Sequence, residues 1–110
     1  ASSTASNAVD VYDSSMTKVS TSLTLSVARA VISATTLEDY AIFAGGHVPN
    51  GDAFTTVDVF DTSLTKTTIT GLSKARRALA SATIGNYALF AGGQDAYSNA
   101  YSTVDVYELA

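Results

Sequence analysis

The period of polar and apolar positions changes along this chain, and the changes mark its elements. Residues 8–13 alternate apolar and polar side chains and are rich in β-formers, which predicts a half-covered strand. Residues 14–17 then read as a turn, 18–22 as a short polar outer strand and 23–27 as a connector. Residues 28–36 carry mostly small side chains and read as a strand, with 37–39 a tight hairpin turn. Tyr40-Ala41-Ile42-Phe43-Ala44 is continuously apolar, as expected of a strand covered on both faces, and Gly45-Gly46 ends it.

The same series then returns. A loop at 47–55, with the turn signal Pro49-Asn50-Gly51, precedes a strand at 56–61, a turn at 62–65 and a short strand at 66–70. A connector at 71–74, a small-residue strand at 75–83, a turn at 84–86 and an apolar strand at 87–91 follow. A loop at 94–102 and a last strand at 103–108 close the series, and the small, polar residues 1–7 read as a frayed lead-in. Residues 73–82 are rich in Ala and Arg and have helical propensity. Their counterparts at 26–35 carry Val31 and Ile32 in the same slot, and context overrides propensity, so both read as strand.

The return is close to literal. Val9-Asp10-Val11-Tyr12-Asp13, Val57-Asp58-Val59-Phe60-Asp61 and Val104-Asp105-Val106-Tyr107-Glu108 stand 48 and then 47 positions apart. Between them, Tyr40-Ala41-Ile42-Phe43-Ala44-Gly45-Gly46 and Tyr87-Ala88-Leu89-Phe90-Ala91-Gly92-Gly93 stand 47 apart. The one-residue difference falls between Val19 and Leu25, in a connector. A period of this length marks a propeller or solenoid array, and four short strands per unit match a propeller blade.

These residues resemble a kelch repeat. Four apolar residues precede a Gly pair at Gly45-Gly46 and at Gly92-Gly93. The Tyr-Asp of the next strand is matched by Tyr12-Asp13, Phe60-Asp61 and Tyr107-Glu108, and the Arg that opens the innermost strand by Arg29 and Arg76. The family's Trp, seven residues after the Tyr, is replaced by Val19 and Thr67, which places the chain in a divergent, Ser/Thr-rich branch. The resemblance implies an all-β fold of four-stranded antiparallel blades, usually about six or seven to a ring, whose inter-strand loops bind protein or carbohydrate. In that order, residues 8–22 supply the third and fourth strands of a first blade, 23–70 a complete blade, and 71–110 the first three strands of another.

About two repeats make an incomplete ring, and each open flank of such a chain would expose an apolar sheet face. Self-association is therefore expected, with a homotrimer as first choice because three copies give six blades; a tetramer and an open polymer are the alternatives. The start at Ala1 instead favours an excised or processed piece of a longer array. The third-strand copies at 9–13 and 104–108 compete for one slot at each junction, so one of them is displaced or adds to a neighbour's edge.

Composition narrows the function. The net charge of −4 opposes nucleic acid and anionic membrane as partners, and no apolar run reaches the length of a membrane-spanning helix. With Cys 0 and His 1, the chain has no disulfide, thiolate ligand or copper-oxidase donor set, and neither metal nor cofactor is expected. His47 recurs as Gln94, which leaves no Ser-His-Asp set and makes a solvated loop residue the expected role. Asp10, Asp58 and Asp105 recur with the strands, and Asp13, Asp61 and Glu108 at strand ends, where Asp commonly caps a turn. Arg29 and Arg76 read either as clamps to a backbone carbonyl or recurring Asp, or as anion contacts. Ser/Thr richness and low charge favour an extracellular or particle-surface setting.

The loops after the Gly pairs have equal length and different content, so they hold the candidate ligand contacts: His47, Asn50, Asp52, Phe54, Gln94, Asp95, Tyr97, Asn99 and Tyr101. Tyr there offers apolar area with a polar tip, suited to a sugar face or a protein epitope, or the loops only cover the sheet edge. The expected function is non-catalytic, a structural and binding module; a fragment of a propeller-fold carbohydrate-active enzyme is the alternative.

Overall fold

The computed structural model describes residues 5–19, 23–48 and 51–108. The described chain is all-β and forms several small antiparallel sheets. Its strands are β1 (Ser6–Ala8), β2 (Val11–Tyr12), β3 (Lys18–Val19), β4 (Thr24–Arg29), β5 (Ser33–Leu37) and β6 (Tyr40–Ala44). They continue with β7 (Val57–Phe60), β8 (Lys66–Ile69), β9 (Ala80–Ile84), β10 (Tyr87–Ala91) and β11 (Val104–Glu108).

Two sheets dominate. Strands β5, β6, β7 and β8 form a four-stranded meander, and β9, β10 and β11 a three-stranded one. Register repeats between them: Leu37 faces Tyr40 as Ile84 faces Tyr87, and Ala44 faces Val57 as Ala91 faces Val104. The two-residue turns that close the first hairpins open on a left-handed residue, Glu38 (φ 52) and Gly85 (φ 56), which suits the twist of a hairpin. The β2–β3 hairpin repeats the β7–β8 pairing in miniature, with Tyr12 opposite Lys18 as Phe60 is opposite Lys66.

The core lies between the two large sheets. Ile42, Ala44 and Val57 from the first meet Leu72, Ala88 and Phe90 from the second chain half, with Leu37 closing one end. Within each sheet an edge-to-face ring pair recurs, Phe43 on Phe60 at 5.8 Å and Phe90 on Tyr107 at 6.0 Å. Backbone bonds also cross between the sheets: the Gly46 N–H donates to Arg76 O (2.8 Å), Ala78 N–H to Val31 O (3.1 Å) and Leu72 N–H to Thr55 O (2.8 Å).

Several sequence boundaries are corrected. Residues 23–27 are not a connector, because Thr24–Arg29 is strand β4, paired with Ser6–Ala8. Ser6 and Asn7 accordingly belong to β1, not to a frayed lead-in. The expected strand at 8–13 is split, with Ala8 ending β1 and Val11–Tyr12 forming β2. The expected strand at 28–36 is broken at Val31 (φ 55), and the one at 75–83 is reduced to Ala80–Ile84, which follows the left-handed Ala78 (φ 57). A left-handed residue turns the chain, so the segment before it pairs with the preceding unit and the segment after it enters its own sheet. Asn50, Pro49 and residues 20–22 lie outside the described residues, as do 1–4 and 109–110.

Candidate functional site

Two arrangements gather the chemistry-bearing side chains: a pair of buried ion-pair clamps, and the loop face beyond the Gly pairs.

The clamps are built by the repeat. Arg29, at the end of β4, donates from Nη1 to Gly45 O (2.7 Å) and Thr56 O (3.1 Å) and from Nη2 to Asp58 Oδ2 (2.7 Å). The Ser26 N–H (3.0 Å) and hydroxyl (2.9 Å) donate to the same Asp58 oxygen, and the Thr68 hydroxyl to the other (2.7 Å). Arg76 repeats the set, donating to Gly92 O (2.8 Å), Thr103 O (2.9 Å) and Asp105, with Ser73 again on the carboxylate. Burial would raise the Asp58 carboxyl, but bonds from the Ser26 N–H and the Thr68 and Ser26 hydroxyls, with the Arg29 charge, hold it below its ordinary value. Burial lowers Arg29, and Asp58 only partly offsets it. Each Arg ties its own segment to the end of the apolar strand and to the next strand, at that strand's entry and at its Asp. The pairing Ser-x-x-Arg at Ser26–Arg29 and Ser73–Arg76 was a legible signal; sequence reasoning singled out the Arg and missed the Ser.

The Gly pairs are fixed by the same crossing. Gly46 has φ +104, and a Cβ there would stand 2.8 Å from Ala30 O; Gly93 has φ +89, and its Cβ would stand 2.7 Å from Arg77 O. Only glycine takes this backbone without strain.

On the loop face, Asp52, Asp95 and Tyr97 line one shallow concavity of about 340 Å³, with Ala53, Ala75 and Ala96. Asp95 organises its side of it. Asp95 Oδ1 accepts from the N–H groups of Tyr97 (2.8 Å) and Asn99 (3.0 Å), and Oδ2 from Asn99 Nδ2 (3.0 Å) and the Tyr101 hydroxyl (2.9 Å). Those bonds, the Asn99 side chain's first, hold its carboxyl down at about 2, while the bond to Asp95 raises the Tyr101 phenol. Lys74 Nζ stands 5.1 Å from the Tyr101 ring centre, a cation on an aromatic face. Asn99 and Tyr101 thus hold Asp95, while Tyr97 projects into solvent at 83% exposure.

The other candidates lie lower in the loops. His47 exchanges backbone bonds with Ala30, and Gln94 with Arg77, at equivalent positions. The Arg77 guanidinium stands 3.4 Å from His47 Nε2. Phe54 accepts a backbone bond from Arg76 N–H (3.2 Å). The Asp95 loop follows the same local rule as the turns at Asp13 and Asp61, whose carboxylates take the N–H groups two and four residues on. That spacing is visible in sequence, but Asp95 follows a Gly-Gly-Gln loop rather than a strand, which hid the likeness. Among the described residues no group of three or more His, Cys, Asp or Glu could hold a metal ion, and no helix is long and apolar enough to cross a membrane.

No protein-family model matches the chain, and no curated protein matches its sequence.

Proposed function

We propose that this chain is a non-catalytic structural and binding module, about two kelch-like repeats of a β-propeller (the end of one blade, a complete blade and the first three strands of another) that assemble with further units and engage a ligand through the loops after the Gly pairs. The clamp supports the architectural half: the same Ser, Arg, Gly, Thr and Asp, 47 positions apart, make the same bonds in both units. The concavity where the two equivalent loops meet carries the functional half. It offers an exposed aromatic face in Tyr97 and a carboxylate in Asp52, a combination that stacks on a sugar ring and accepts from its hydroxyls. A glycan is the ligand favoured over a protein epitope, because the concavity is small and holds one flat aromatic.

A glycan array run with the full chain and with Tyr97→Ala tests this. The expected result is binding to a restricted set of glycans, weakened at least about tenfold in the variant with an unchanged melting temperature. Release of sugar from a bound glycan by the chain alone would contradict the non-catalytic reading. Absence of binding to every glycan would remove the ligand.

A further inference from the structure

The contact that joins the two large sheets is present in full once and in half on each outer side. In full, residues 54–55 lie along residues 72–76, with Leu72 N–H donating to Thr55 O and Arg76 N–H to Phe54 O, while Val57 and Val59 are covered by the neighbouring sheet. On the far side, the equivalents Tyr101 and Ser102 present carbonyls that accept no bond among the described residues, and the Gly93 N–H donates none. The equivalent valines are uncovered: Val57 is 0% exposed, whereas Val104 and Val106 are 51% and 55% exposed. A Cβ built on Gly45 would meet Arg76 and Leu79 of the next unit, but one on Gly92 meets only Tyr101 O at 3.7 Å. On the near side, Phe43 and Ala41 are half-exposed where their equivalents Phe90 and Ala88 are buried.

The near side already has an occupant, and it is the poorest of the three equivalents. Ser6–Ala8 holds the place on β4 that Phe54 and its neighbours hold on residues 72–76, but it is exposed throughout, has Ser for Phe, and its register slips between Ser6 and Ala8. Asp10, the equivalent of Asp58 and Asp105, has no arginine; it makes a solvent-exposed pair with Lys18 at 3.4 Å. Residues 101–108 carry the better version of the same segment, with Tyr in place of Ser6 and with Asp105 already satisfied by Arg76.

We propose that copies of this chain assemble head to tail by strand exchange, residues 101–108 of one copy taking the place that residues 6–12 hold on β3 and β4 of the next. This rests on the assembly half of the proposed function and not on its ligand. The occupant is a second copy because the chain itself carries both halves of the contact, and the complete version inside it shows that they fit. In the exchanged pair Val106 stands opposite Val19 and Tyr107 opposite Lys18, as Val59 stands opposite Thr67 and Phe60 opposite Lys66. Phe43 and Ala41 then cover Val104 and Val106. Each junction also sets Asn99 and Ala100 beside a second copy's Ala28, repeating the Asp52, Ala53 and Ala75 side of the concavity.

The chain has no cysteine, so single-cysteine full-length variants report the contact cleanly. Val19→Cys and Val106→Cys are mixed and oxidised, with the opposed pair Lys18→Cys and Tyr107→Cys replacing them if either loses its β-type circular dichroism. Exchange predicts a mixed disulfide at least about tenfold above either homodimer, abolished by adding Val104→Lys to the Val106→Cys chain. Asp10→Lys, which weakens the resident hairpin, is expected to raise the assembled fraction. Assembly seen by light scattering without the mixed disulfide would overturn exchange and leave the module standing. A chain that stays monomeric at every concentration overturns exchange and self-assembly together, while the glycan array reads the ligand separately.

Discussion

At the scale of single residues, the clamp arginines and the second glycine of each pair carry the fold. Arg29 and Asp58 both have fully buried side chains, so removing the guanidinium leaves an unpaired carboxylate inside the protein. Arg29→Met is expected to cost about 3–5 kcal/mol, and Arg76→Met less, because Asp105 retains 17% exposure and can be solvated. Denaturant unfolding of the two variants measures the difference, and equal losses would contradict it. The glycines separate strain from collision. Gly46→Val and Gly93→Val meet both a left-handed backbone and a carbonyl oxygen within 2.8 Å, and each is expected to lose at least about 3 kcal/mol. Gly92→Ala meets the same backbone without the collision and is expected to lose about 1 kcal/mol. Melting temperatures that rank Gly92→Ala with the other two would show that strain alone decides. Gly45-Gly46 and Gly92-Gly93 were legible as chain exits; the close approach of Ala30 and Arg77 was not, since both carbonyls come from a non-adjacent segment.

At the scale of elements, the meanders were legible because their signals are local. The apolar runs at Tyr40–Ala44 and Tyr87–Ala91, two-residue turns and alternating third strands name their neighbours directly. Strand β4 was not legible as a strand of a sheet, although Thr24-Leu25-Ser26-Val27 alternates, because its partner is the distant Ser6–Ala8. The break at Val31 was hidden for a different reason: a β-branched residue is a poor candidate for positive φ, and only the demands of the inter-sheet crossing put one there. The loop built on Asp95 makes a pH prediction. Its folded pKa of about 2 lies below the ordinary 3.8, so its stabilising contribution is complete above 3.8 and is lost as pH falls through 2. The backbone amides of Tyr97 and Asn99 are therefore expected to keep their shifts at pH 3 and to move together below 2. An Asp95→Asn variant is expected to show the disordered shifts already at neutral pH. Tyr107 gives the opposite sign: burial raises its phenol to about 12, so the stability it contributes is present below 10 and is lost as pH rises through 12.

At the scale of the molecule, the two sheets and the half-unit before them are copies of one arrangement, and the exposures of equivalent residues record which copies have neighbours. Val57 is covered and Val104 is not; Phe90 is covered and Phe43 is only partly so. The sequence period announced the repetition, but it could not tell which end of the chain held the weaker version of the segment, because Val9-Asp10-Val11-Tyr12 and Val104-Asp105-Val106-Tyr107 read alike. What distinguishes them is the preceding segment, Ser6-Asn7-Ala8 against Tyr101-Ser102-Thr103, and the presence of an arginine for Asp105 alone. The measurement that bears most directly on this account is the mass in solution across the micromolar range, by size-exclusion chromatography with light scattering. Closed head-to-tail assembly predicts a species at three times the 11.3 kDa of the chain, shifting toward the monomer in the Val104→Lys, Val106→Lys double variant. A single species at 11.3 kDa throughout that range would contradict it.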